Sequence, residues 1–399
     1  MTFGSGRTGR LVSVDAVRGL VMVVMALDHV RDFVHAGAMT FSPEDLTQTT
    51  PFLFFTRWIT HVCAPAFVFL AGMAVSLKLR RGGSRQGLAG FLVSRGLWLI
   101  VAEVVVLRFA LNFRLFGPDP VLLLVLWAIG ISMIALAGLL FLPRPLVFAL
   151  GLATVALHNA LDPVSAGDLG ALAPLWTALH EQGAIPLAGV IVVVGYPVLP
   201  WIGLMATGFG AGVVFELDSG RRQQLLVGIG VALGIAFLVL RWFNGYGDPQ
   251  PWATQATPAM TLVSFLRTTK YPPSLLFLLM TMAPVLVGLA WFDRRSPAAT
   301  HPLAVIGRVP FFYYFTHFFL AHLVASCLVW ARYGSARLAF LSGPFPSVGG
   351  AAEAFPPDIG WPLGVVYVVW LAVVLLTYPL CRWFDAVKRR RGSRWLSYL

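Results

Sequence analysis

The sequence predicts an all-α integral membrane bundle of about ten transmembrane helices, with both termini in the cytoplasm. Three observations carry that expectation. The 399 residues are 58% hydrophobic and only 12% charged, with a mean hydropathy of +0.79. Soluble domains average roughly 25% charged residues, so half of the usual solvating side chains are missing. Apolar stretches near the length of about 20 residues that a bilayer demands recur along the whole chain. The formal charge of +12 is concentrated in alternate connecting segments. A soluble globule, a disordered chain and a nucleic-acid binder all fit these figures poorly. The positive excess therefore reads as membrane topology rather than as a polyanion-binding surface.

In chain order the apolar runs are 12–34, 52–77, 89–111, 120–141, 145–160, 196–217, 224–242, 274–292, 309–331 and 361–382. The first follows a basic start, but it holds Asp15, Arg18, Asp28 and His29 and lacks a small-residue cleavage site. It reads as a span and not as a cleaved signal peptide. The fifth is short. Residues 186–195 are apolar too, yet the Gly195-Tyr196-Pro197 break reads as a loop or re-entrant piece. With both termini inside, about 18 Lys and Arg fall on the cytoplasmic side, among them Arg7, Arg10, Lys78, Arg144, Arg308, Lys388 and Arg394. About 6 fall outside: Arg31, Arg114, Arg267, Lys270, Arg332 and Arg337. The longer outer loops (36–51, 161–195, 243–273, 332–360) hold most remaining acids, including Glu44, Asp162, Asp248 and Glu353. Gly208 with Gly212, and Gly230 with Gly234, allow close helix approach. The chain reads as one domain, 1–399, without repeats or a soluble module. Cys63, Cys327 and Cys381 are too few for a disulfide framework. No CxxC, HExxH, GxSxG or phosphate loop occurs, and the histidines are not spaced as a metal cluster, so no metal is expected.

Ionisable residues at membrane depth are costly and face a bundle interior or a water-filled cavity. On the first span Arg18, Met22, Met25 and His29 form one helical stripe. Arg18 and His29 are separated by about 16 Å at 1.5 Å per residue. Asp32, three residues beyond His29, is placed to orient its ring, and Asp28 pairs naturally with Arg31. Arg31 and His35 read as interfacial surface charges. Arg57 and His61 share a face of the second span. Depth counting gives an outer layer of His29, Arg57 and Arg108 above a middle layer of His61, Glu103 and His322, with Glu103 expected to pair with His61 or an arginine. Tyr313 and His317 form a polar seam on an otherwise aromatic helix, and Lys270-Tyr271 sets a cation at the outer rim. His61, Glu103 and His322 are also what the proton relay of a transporter would use, although no inverted repeat accompanies them.

Val14-Asp15-Ala16-Val17-Arg18-Gly19, followed ten residues later by His29, resembles the first span of transmembrane acyltransferases. The closest resemblance is to the bacterial group similar to lysosomal heparan-α-glucosaminide N-acetyltransferase. Further blocks extend it over nearly the whole chain: FTRWITHVCAPAFVFLAGMAVSL (55–77), YPVLPWIGLMATGFGAG (196–212), TTKYPPSLLFLLM (268–280), RVPFFYYFTHFFLAHL (308–323) and YPLCRWF (378–384). The resemblance implies a helical bundle in a bacterial inner membrane with a tunnel between its faces. It implies transfer of an acyl group, typically acetyl from acetyl-CoA, to a hydroxyl or amine of a carbohydrate-like acceptor at the opposite face. A first-span or first-loop histidine then acts as general base or acyl carrier. The span position falls on His29 and the loop position on His35, with Asp28 or Asp32 as carboxylate partner. Arg18, Arg95, Arg308 and the Tyr313–His317 seam would hold the donor. Arg57, His61, Glu103, Arg108, Lys270 and Tyr271 would line the acceptor side, with Arg57 or Arg108 available to an oxyanion. The sequence leaves oligomeric state open, a homodimer included.

Overall fold

The computed structural model describes residues 11–115, 117, 119–334, 355, 356, 358–391 and 396. Arg7, Arg10, Arg337, Glu353 and Arg394 lie outside these residues. Helix α1 is Val12–Val34. Helix α2 (Pro51–Trp58) passes through a 3-10 turn into α3 (Cys63–Arg80), giving one continuous span. Helix α4 (Arg85–Ala102) passes through a π turn, Glu103–Leu107, into α5 (Arg108–Asn112). Strand β1 (Val121–Leu123) precedes α6 (Val125–Leu139) and α7 (Arg144–Leu157). The next excursion carries α8 (Ala173–Leu179), β2 (Gly183–Leu187) and β3 (Val190–Val194). Then come α9 (Leu199–Ala211), α10 (Ser219–Phe243), α11 (Pro258–Leu266), α12 (Leu275–Arg295), α13 (Pro302–Arg308), α14 (Pro310–Tyr333) and α15 (Leu363–Arg391).

Local chemistry explains the helix starts. Thr50, Ser84 and Ser274 each precede a helix, and their hydroxyls accept from the amides of Leu53, Gly87 and Phe277. Pro51 and Pro310 occupy first turns, where no amide is needed. Each of the ten expected apolar runs contains a helix, the fourth opening on strand β1 before α6. Eight helical stretches among the described residues are long and apolar enough to cross a membrane. Of the other two, α6 has 15 residues and α1 carries the embedded charges. The protein is an all-helical polytopic membrane bundle.

Burial separates inner from outer helices. The apolar windows of α9 and of the α2–α3 span are 67% and 61% buried, whereas those of α10 and α15 are 22% buried and turn Trp242, Leu375 and Trp383 outward. Helix α1 packs against α3, α12, α13, α14 and α15. Its crossing with α13 depends on two glycines. A Cβ on Gly19 would lie 1.8 Å from the Leu303 carbonyl oxygen, and one on Gly307 1.8 Å from that of Asp15. Gly208, Gly212 and Gly230 make the close approaches their spacing suggested; Gly234 makes only ordinary contact. At one end of the bundle Trp361 accepts from the Ala36 amide and donates to the Val34 carbonyl, at 3.1 and 2.8 Å. At the other, Arg308 pairs with Asp385. Helices α1 and α15 are thus antiparallel, and the chain enters α1 and leaves α15 at the same end.

One expectation fails. Residues 186–195 are not a loop or re-entrant piece: β2 and β3 form a hairpin, and β1 pairs with β3 in parallel, in the order β1-β3-β2. Ala188 and Gly189 both have positive φ, as a two-residue hairpin turn requires. The β-branched run Val190–Val194 favours this, and the Gly195 break ends the strand rather than precluding it.

Candidate active site

A cavity of about 1050 Å³ runs along α1 through the bundle. Arg18, Met22, Met25 and His29 all line it, so the stripe seen in the sequence is a cavity wall. At one end the lining charges are Arg18, Lys78, Arg95, Arg308 and Lys388, with no lining acid among the described residues. Arg18 donates to the Gly307 carbonyl at 3.3 Å, a contact the glycine crossing brings within reach, and pairs with Asp15 at 3.2 Å. Arg308 is fixed by two hydrogen bonds to Asp385, at 2.9 and 2.7 Å. The Arg95 guanidinium lies 4.9 Å from the centre of the Phe311 ring, and Lys78 Nζ 4.0 Å from that of Phe91.

The other end is balanced, with Asp28, Asp32 and Glu44 against Arg31, Arg57 and Lys270. These alternate. Asp32 meets Arg31 at 2.6 Å, Arg31 meets Asp28 at 2.9 Å, Asp28 bonds Arg57, and Arg57 reaches Glu44 at 3.4 Å. Glu44 closes the chain on His61 at 3.0 Å. Glu44 is subject to burial, which pushes its carboxyl up. The hydrogen bond and charge of His61, with Lys270 and Arg31, outweigh that and hold it below the usual range. Lys270 is pulled below the usual lysine range by burial and by Arg57.

Beside this chain, His29 Nδ1 lies 2.7 Å from His317 Nε2. His317 Nδ1 lies 2.8 Å from the Tyr313 carbonyl, which can only accept. With both rings neutral, His317 therefore carries its proton on Nδ1 and accepts at Nε2. His29 must then donate from Nδ1, which leaves its Nε2 as the basic nitrogen. Phe318 stacks on the His29 ring at 3.9 Å. The pair is a base held in a defined tautomer and backed by an acceptor.

Several placements differ from the sequence reading. Neither Asp28 nor Asp32 orients His29, because both engage arginines; His317 takes that part. His317 contacts His29 and is fully buried, off the cavity lining. Tyr313 is buried behind it, off the cavity lining, and supplies only its carbonyl. His35 accepts from the Gly37 amide at 3.1 Å and does not line the cavity. Arg108 donates to the carbonyls of Gly117, Asp119 and Pro120 and does not line the cavity. Glu103 pairs with neither His61 nor an arginine. The π turn aims it at the start of α6, where it accepts from the amides of Leu124, Leu126 and Trp127 at 2.8, 3.0 and 2.7 Å. His322 faces the Ala110 carbonyl at 3.0 Å. The layer of His61, Glu103 and His322 therefore does not form, and with it goes the observation that favoured a proton relay.

Arg57, Lys270 and Tyr271 do line the cavity as expected. Arg31 was read as a surface charge, but it is 3% exposed, and its Nε and Nη1 are buried without hydrogen-bond partners. Lys78 and Lys388 were read as loop charges. Arg241 had no signal beyond lying in a span. It is buried and donates to the carbonyls of Gln250, Ser264, Phe265 and Arg267. Asp248 accepts from the Thr269 amide and from the Ser274 hydroxyl. Together they fix the loop that presents Lys270 and Tyr271.

A family model described as heparan-alpha-glucosaminide N-acetyltransferase, catalytic, matches residues 10–238. No curated protein gives a significant match. The matched segment contains His29, Arg31 and Arg57; Lys270, Arg308 and His317 come from the chain beyond it.

Proposed function

The chain belongs to the heparan-alpha-glucosaminide N-acetyltransferase catalytic family, and from that premise we propose that it transfers an acyl group, acetyl by preference, from acyl-CoA to a hydroxyl or amine of a carbohydrate-like acceptor. The observation that carries the reading is one cavity joining a wholly cationic end to the His29–His317 pair. The positive-inside excess puts the cationic end in the cytoplasm of a bacterial inner membrane and the histidine pair toward the outer face. Helices before and after residue 238 line the same cavity, which supports reading 1–399 as one unit.

The nucleotide end of CoA is polyanionic and matches Arg18, Lys78, Arg95, Arg308 and Lys388. The pantetheine arm extends along Met22 and Met25, over the roughly 16 Å that separate Arg18 from His29. The acceptor lies among the balanced charges, where a neutral polyol or amino sugar finds donors and acceptors of both signs. His29 Nε2 takes the proton of the attacking hydroxyl or amine as the new bond to the acyl carbon forms. His317 Nε2 accepts from Nδ1–H and stabilises the imidazolium. Arg31, with two donors otherwise unsatisfied, and Lys270 stabilise the oxyanion. Collapse breaks the carbon–sulfur bond, and the imidazolium returns its proton to the leaving thiolate. The products are acylated acceptor and free CoA.

The test is release of CoA thiol by purified protein given acetyl-CoA and a panel of amino sugars and polyols. Release that depends on acceptor and disappears in His29→Ala, but not in His35→Ala, is expected. No thiol release and no acetyl-CoA binding with any acceptor would overturn the reading.

A further inference from the structure

Three side chains off the cavity lining form a second cluster at the end of α7. His158 and His180 are 2% and 3% exposed, and Asp162 is half-buried beside them. One ligand atom from each can be chosen so that all three lie within 4.8 Å of one another. His180 Nε2 to Asp162 Oδ1 is 3.7 Å. Four bonds of about 2.0–2.1 Å arranged tetrahedrally around zinc span edges of about 3.4 Å, so small side-chain rotations close the set. A second observation points to a ligand. Both ring nitrogens of His158 are buried without a well-formed hydrogen bond, and the Pro273 carbonyl serves at most one of them. An imidazole at that burial with a ring nitrogen left without a partner is costly unless something coordinates it. Trp176 stacks on His180 at 5.2 Å and walls one side.

We propose that His158, Asp162 and His180 form a structural site for a divalent transition metal of the zinc class. Two imidazoles and one carboxylate suit such an ion better than magnesium or calcium, which take oxygen ligands. Binding exchanges the His180 Nε2–H bond to the His158 carbonyl, 2.8 Å long, for a metal bond, and the ring proton moves to Nδ1. Both histidines stay neutral and Asp162 contributes one negative charge. The ion ties the end of α7 to the 162–196 excursion, and the Leu275 amide at the start of α12 donates to Asn159 beside it. Gln182, Val193, Gly195 and Tyr196 of that excursion line the reacting end of the cavity. The metal therefore holds one wall of the acceptor site without touching the reaction. The sequence hid the set because His158 and His180 lie 22 residues apart and meet only in the fold.

The experiment uses tag-free, full-length protein in detergent, stripped with chelator and reloaded with zinc or cobalt(II). Expected are one zinc per chain by elemental analysis, a tetrahedral cobalt absorption spectrum, and a higher melting temperature on reloading. His158→Gln, Asp162→Asn and His180→Gln should each weaken binding at least tenfold, while His301→Ala, an exposed histidine outside the cluster, should not. A monodisperse wild type that melts cooperatively yet retains almost no metal would sink the proposal. So would stoichiometric binding that survives all three cluster variants. Should a variant fail to fold, the wild-type cobalt spectrum still decides. None of these readouts depends on acyl transfer.

Discussion

The two ends of the cavity handle buried charge in opposite ways. At the Arg18 end five cations line the wall, Arg18 and Arg308 paired from behind with Asp15 and Asp385, and no lining acid faces them among the described residues. At the His29 end Arg31 and Arg57 alternate in contact with Asp32, Asp28 and Glu44, and Lys270 lines the same wall. Like charges concentrated on one low-dielectric wall raise the local potential and attract an anion. Alternating charges cancel at a distance, yet they offer directed donors and acceptors nearby. The first arrangement selects by net charge and the second by hydrogen-bond pattern. That difference is why the donor is assigned to one end and an uncharged polar acceptor to the other.

The sharpest way to break this division is at His29. His29→Ala should lower kcat by about 10³-fold with the KM for acetyl-CoA nearly unchanged. A loss expressed wholly in KM would mean that this end binds but does not react. His317→Leu should lower kcat by about 10²-fold, again without moving either KM, since it removes the acceptor behind His29 and no substrate contact. Steady-state kinetics on variants of unchanged melting temperature decides both.

At the cationic end, Lys78→Gln or Arg95→Gln should raise the acetyl-CoA KM by about 5–10-fold and leave kcat alone, an effect that shrinks as salt is added. An equal rise in the acceptor KM would erase the distinction between the ends. Glu103 tests the fold rather than the site. Glu103→Ala leaves three buried amides unsatisfied at the start of α6 and should cost about 2–3 kcal/mol, read as a lower melting temperature with normal kcat in the protein that remains folded.

The smallest expected effect is of pH on Glu44. Its folded carboxyl sits below the usual 4.5, so its pairing is complete above that value and is lost as the pH falls through the lower folded value. The acceptor KM should stay level from neutrality to below pH 4.5 and rise only as the pH falls through the lower folded value. Glu44→Gln should raise that KM about threefold at neutral pH, by weakening its contacts with Arg57 and His61, and remove the acid dependence.

Much of this was legible in the residues. Hydropathy placed the ten helical runs, because a bilayer filters for length and apolarity in ways one segment reveals by itself. Helical periodicity put Arg18, Met22, Met25 and His29 on one wall, because that face is fixed by the 3.6-residue turn. Those are local quantities. The partner of His29 was not local: Asp32 is three residues away, yet His317, 288 positions later, is the group in contact. Glu103 looked like half of an ion pair because no sequence rule says that a carboxylate will cap another helix. Arg31 looked superficial because its depth depends on α14 and α15 packing over the end of α1.

The sequence by itself determined that the protein is a helical membrane bundle, which segments span it and which face of α1 is polar, since each follows from neighbours along the chain. Only the tertiary structure decided which base meets which acceptor, which charges cancel, and that His158, Asp162 and His180 converge. Those pairings depend on helix crossings set by close backbone contacts such as that of Gly19 with Leu303 and of Gly307 with Asp15, and no single segment encodes them.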